Sequence, residues 1–184
     1  MNYRHILLKC FLILPLLTGA CVPNSESDPV FKQVLKGNRV IPDGVSRIYV
    51  DEITCRDISD NIMDSFKTSL RRQMNSSDKI SAAASPDNSD IMLRILLDEF
   101  YSDPVKINSL GLVIEKKMRI VAYMYLKYTK TDEEFLSNKK VESEIVYSEV
   151  NIPIMSEYKA LTLLTDQLAE RIIAVTTTGW YLKK

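Results

Sequence analysis

The chain has 184 residues, 46% of them hydrophobic, with 24 basic and 24 acidic side chains, one histidine and three cysteines. That length suits one domain with a buried core, and the even charge excludes bulk nucleic-acid binding. Five scattered glycines exclude a phosphate-cradling glycine-rich loop.

Residues 1–20 read as a secretory signal. Arg4, His5 and Lys9 form a basic start, "CFLILPLL" is an apolar core, and Thr18, Gly19 and Ala20 supply a small-residue cleavage site. The core is too short to span a bilayer, which takes roughly 18 or more apolar residues. Cys21 follows directly, and "LLTGACVP" resembles a bacterial lipobox, with Thr18 standing where leucine is usual. The resemblance implies cleavage before Cys21 and acylation of its thiol and new amino group; two or three acyl chains anchor a protein stably where one does not. The alternative is ordinary cleavage at a Thr-x-Ala site. Val22 in place of aspartate favours the outer membrane.

Loss of the signal removes His5, so the retained chain has no imidazole for a Ser-His-Asp triad, a Cys-His pair or a histidine metal site. Catalytic residues, metal ligands and cofactors are therefore all expected to be none. Cys10 leaves with the signal and Cys21 is acylated, which leaves Cys55 without a disulfide partner. The adjacent carboxylates Asp98-Glu99 and Glu133-Glu134 read as solvated charges rather than acid/base pairs.

Residues 21–44, rich in Pro, Ser, Asn and Gly, form a tether, and residues 45–184 form the domain. Val45 to Ile53 is the first strand after a Pro-Asp-Gly turn. Asp57 to Asp60 cap a helix whose stripe is Ile58, Ile62, Phe66, Leu70 and Met74, with Lys67, Arg71 and Arg72 late as its dipole prefers. A short strand over Lys79 to Ala84 and a turn at Ser85 to Asn88 precede a strand at Ile91 to Tyr101. The segment "SDPVKINSLGL", broken by Pro104 and Gly111, reads as a long connection. Val113 to Tyr128 alternates, with Met118, Ile120, Ala122, Met124, Leu126 and Tyr128 inward and Arg119, Val121, Tyr123, Tyr125 and Lys127 outward. A polar turn, "TKTDEEFLSNKK", leads to a strand at Val141 to Ile152. The last helix starts at Ser156, buries Leu161, Leu164, Leu168, Ile172 and Val175, and ends at Gly179 before Trp180 and Tyr181.

The order predicts an α+β, two-layer sandwich: two helices on one face of a four- to five-stranded mixed sheet, with a parallel crossover first and an antiparallel meander after it. Laid end to end, the lipobox-like cysteine, "IPDGVSRIYVDEI", "NIMDSFKTSLRRQM", "SDIMLRILLDEFYSDPV", "KKMRIVAYMYLKY" and "LTDQLAERIIAVTTTGW" resemble the LptE family of outer-membrane lipopolysaccharide-assembly lipoproteins. The resemblance implies a non-enzymatic, periplasm-facing, lipid-anchored protein of the outer membrane. Its partners would be an LptD-type β-barrel, for which it acts as plug and folding partner, and lipopolysaccharide. Lys106, Lys116, Lys117 and Arg119 are the basic residues that would meet lipid A phosphates; the competing reading makes them surface charges that guard a strand edge. Tyr123 and Tyr125 could line a partner interface. A periplasmic lipoprotein that regulates a cell-wall synthase or another envelope complex is the alternative function.

Overall fold

The computed structural model describes residues 45–150 and 154–178. The signal, Cys21, the tether, Gly179, Trp180 and Tyr181 lie outside the described residues.

Five strands and two long helices follow one another: β1 (Arg47–Cys55), α1 (Asp60–Ser76), β2 (Ser81–Ala82), β3 (Ile91–Ile107), β4 (Val113–Tyr128), β5 (Glu134–Tyr147) and α2 (Glu157–Thr178). They make one mixed sheet in the order β2-β1-β3-β4-β5, parallel across β2-β1-β3 and antiparallel across β3-β4-β5. The expected α+β architecture is the observed one.

The inward face of β4 follows the two-residue period of a strand: Met118, Ile120, Ala122, Met124 and Leu126 are all buried. They share a single core with Ile48 of β1, Leu93, Ile95 and Leu97 of β3, and the apolar stripes of both helices. Phe66, fully buried, is the largest side chain that α1 contributes. The helices meet along a polar seam, where the buried Thr165 Oγ1 lies 3.0 Å from Ser65 Oγ and 3.1 Å from Ser69 Oγ. Arg72 pairs with Asp166 beside it. The seam satisfies hydroxyls that would be costly to bury alone. It also corrects the expected dipole role of Arg72, since the last turn of α1 holds no basic residue.

The N-cap of α1 is Ser59, whose side chain makes no capping hydrogen bond, and Asp57 sits at φ 52° just before it. Ser156 caps α2, with Oγ accepting from the Lys159 amide at 3.3 Å.

Two strands differ most from the sequence reading. β3 does not stop at Tyr101 but continues to Ile107, so the expected long connection shrinks to a turn over Asn108–Leu112. Beyond Leu97 β3 has no β1 neighbour, and a register shift follows Pro104; an open edge and a bulge are the circumstances in which a strand tolerates proline. β5 likewise begins at Glu134 rather than Val141 and ends at Tyr147. Its early part is a sheet edge, where Lys139, Lys140 and a positive φ at Asn138 are compatible with pairing.

Candidate functional site

The helices cover one face of the sheet, and the other face carries the candidate site. Register places Lys117, Arg119, Tyr123, Tyr125 and Lys127 on that open face of β4, opposite to the buried set. Val121 shares this face yet is buried, between Glu99 on β3 and Glu142 on β5.

The basic residues singled out from sequence all fall on the β3-β4 ladder, but not on one surface. Lys106 and Lys117 accompany Arg119 on the open face, while Lys116 turns to the helix side and meets the start of α2. Each has a carboxylate partner: Lys106 with Glu115 at 3.3 Å, Lys116 with Glu157 at 3.6 Å, Lys117 with Glu144 at 3.9 Å and Arg119 with Glu142 at 2.6 Å. Lys140, which sequence reasoning passed over, also reaches Glu142, at 2.9 Å. Glu142 sits opposite Val121, so it is the diagonal neighbour of Arg119 and lies two residues along β5 from Lys140.

The hydrogen bond from Lys140, then that from Arg119, holds the Glu142 carboxyl below the usual range. The same bond to Glu142 raises the Arg119 guanidinium and the Lys140 ammonium above theirs. Lys116 is raised first by the Tyr147 phenol oxygen and then by Glu157. Tyr147 is buried, and burial pushes its phenol up; its hydroxyl makes no hydrogen bond of good geometry. These are compact, neutralised charge groups rather than a bare cationic patch.

Other polar groups on the open face are structural. Arg94 bridges Asp51 at 3.1 Å and Glu52 at 3.5 Å where β1 bulges. Asp98, mostly buried, pairs with Arg56 at 2.9 Å, which corrects its reading as a solvated charge. Tyr125 donates to Asn138 at 3.1 Å. The hollow between Asp51, Arg94, Tyr125 and Asp132 encloses only about 180 Å³, below the range of small-molecule sites. Among the described residues no three His, Cys, Asp or Glu side chains converge as a metal site. Cys55 is exposed, with Sγ 3.6 Å from the Ile58 carbonyl.

The β3-β4 hairpin outruns its neighbouring strands, since β1 pairs with β3 only as far as Leu97 and β5 with β4 only as far as Lys116. Its turn is closed from within: the Asn108 amide donates to the Leu112 carbonyl at 2.9 Å and the Gly111 amide to the Asn108 carbonyl at 3.0 Å. Asn108 Oδ1 accepts from the amides of Leu110 and Leu112 at 3.0 and 2.9 Å. Gly111, at φ 80°, supplies the left-handed residue that this turn requires.

A sheet flanked on one face by two helices, with a parallel crossover leading into a meander, defines a two-layer α+β class that proteins of several organisms share. An uncharacterized lipoprotein B from Nitrosomonas europaea matches with a TM-score of 0.54 and 11% identity, over 77% of this chain and 90% of that one. A protein from Xanthomonas campestris matches at 0.53 and 15% identity over 76% and 90%, and a hypothetical protein from Chlamydia trachomatis at 0.53 and 11% over 72% and 96%. No family model matches the sequence, and no curated protein does.

Proposed function

We propose that this chain is a non-enzymatic envelope lipoprotein, anchored through Cys21 to the outer membrane, that serves lipopolysaccharide assembly as the partner of an LptD-type β-barrel. The reading is supported by a conjunction: a domain with the fold of a lipoprotein B follows, after the segment 21–44, a stretch whose sequence reads as a signal with a lipobox-like cysteine behind it. The domain chemistry is compatible with such a role. Its open face offers guanidinium, ammonium and tyrosine groups suited to phosphates and to a polar barrel wall. No histidine follows residue 5 to supply an imidazole for the commoner hydrolytic mechanisms.

In this reading Arg119, Lys117 and Lys106 meet lipid A phosphates by exchanging their carboxylate partners for phosphate oxygens, and Lys116 braces the hairpin against α2. The test is in-cell crosslinking followed by purification, with the intact mass of the purified protein measured alongside. A stoichiometric outer-membrane β-barrel and a mass showing cleavage before Cys21 plus acyl chains are the expected results. Recovery of a peptidoglycan synthase instead of a barrel would assign the chain to cell-wall regulation. A Cys21→Ser protein of unchanged mass and unchanged membrane attachment would refute the anchor.

A further inference from the structure

We propose that the β3-β4 hairpin is a membrane-inserting tip, which places Ile107, Leu110, Leu112 and Val113 in the upper acyl region of a phospholipid bilayer with lysines at headgroup level. The inference goes beyond the assembly role and does not depend on Cys21.

Three observations carry it. Exposed apolar side chains are segregated: among the described residues, every large one lies on this hairpin or beside it at the end of β5 and the start of α2. Leu110 is 81% exposed in the turn, Leu112 60% and Ile107 57%, and Val146, Val150, Ile154 and Tyr158 are exposed as well. An exposed apolar cluster of this kind on an otherwise well-buried protein marks a contact surface.

The shape and internal bonding of the hairpin favour lipid over a protein groove. Residues 107–114, "INSLGLVI", carry no charge. Within the turn, the amides of Asn108, Leu110, Gly111 and Leu112 are all bonded inside the loop, two of them to the Asn108 side chain. Backbone that leaves water for hydrocarbon must have its polar groups satisfied internally, and this turn has already paired most of its donors.

The charges sit at matching height. Lys106 immediately precedes the apolar run, and Glu115, Lys116 and Lys117 follow it, each lysine beside a carboxylate; three or four strand residues from Val113 to Lys116 and Lys117 amount to ~10–13 Å, which sets these ammonium groups above shallowly inserted side chains, in the headgroup region. Their long stems allow the ammonium groups to reach phosphate while the chain beyond them is buried.

The experiment uses full-length protein with phosphatidylethanolamine–phosphatidylglycerol vesicles brominated at defined acyl depths. Leu110→Trp is made in a Trp180→Phe background, and Asn75→Trp, near the end of α1 and away from the tip, serves as the control. The expected result is a blue shift and bromine quenching of the indole at 110, strongest for shallow bromines, with none at 75. Leu112→Asp should weaken the quenching by about tenfold or more, as loss of one buried leucine does. Emission at 110 that ignores the vesicles would overturn the proposal. So would quenching that requires added lipopolysaccharide, which would assign the tip to that lipid. A blue shift without vesicles accompanied by a doubled mass would overturn it too, by showing a second copy on the tip.

Discussion

Because each candidate cation already holds a carboxylate, phosphate recognition at the open face must begin by breaking an ion pair. The sharpest perturbation is Glu142→Gln. Glu142 accepts from Arg119 at 2.6 Å and from Lys140 at 2.9 Å, and both pairs are roughly half exposed. Exposed pairs of this kind are each worth about 0.2–1 kcal/mol, so neutralising Glu142 should cost about 0.5–1 kcal/mol of stability. It should also remove about 1 kcal/mol of competition for an incoming phosphate, roughly fivefold in affinity. The assay is an equilibrium titration with solubilised lipopolysaccharide at low salt, repeated at high salt where the gain should shrink. The pH dependence has a defined sign. The Glu142 carboxyl is depressed, so its pairs contribute fully above the ordinary glutamate range and are lost as pH falls through the lowered value. Wild-type affinity should then rise toward that of the variant. An affinity unchanged or weakened by Glu142→Gln would refute the view that carboxylate exchange limits binding at Arg119.

Two further outcomes test the frame that holds this face in place. Phe66→Ala removes the fully buried aromatic of α1 and should cost about 3–5 kcal/mol in urea unfolding, while a loss below about 1 kcal/mol would mean that α1 is not packed on the sheet. For Asp90, burial alone would raise the carboxyl, but the amides of Ser46 and Arg47, donating at 2.9 and 2.8 Å, outweigh it and lower it. Asp90→Ala should therefore cost about 1 kcal/mol near neutral pH, a discounted figure for a partly exposed group. The deficit should narrow as pH falls through the lowered value, and a deficit constant with pH would refute the assignment.

How far the sequence disclosed this architecture depends on whether each feature is periodic. The stripe of α1 and the alternation of β4 are local patterns; the first buries every residue it predicts, and the second does so except that Tyr128 is only partly buried and Val121, expected outward, is buried. The ends of β3 and β5 are not. Pro104 and Gly111 read as breakers, because only the pairing shows that β3 has lost its β1 neighbour there and that Gly111 turns a hairpin. The apolar end was hidden by the same error, since Val105, Ile107, Leu110 and Leu112 look like loop residues until β3 is extended to meet β4. The partners of the cations were equally illegible: Arg119 and Glu142 are 23 residues apart, and only the register across β4-β5 joins them.

That register is set on the face away from the charges. A slip of one residue between β4 and β5 would turn the buried Val141, Ser143 and Tyr147 of β5 outward and is forbidden by the core. In the observed register Arg119 faces Glu144, Lys117 faces Val146, and Glu142 lies diagonally between Arg119 and Tyr123. Sliding β5 by two in one direction would set Arg119 against Val146 but move Glu144 into the diagonal place, opposite Val121, that Glu142 holds now; sliding it the other way would set Arg119 directly against Glu142. Glu142 and Glu144 share one face of β5, so a carboxylate stays beside the guanidinium in either case and charge does not select the alignment. A slip of two instead disturbs the helix side, where Ser143 donates to Gln167 of α2 at 3.0 Å and Tyr147 is buried close to Glu157.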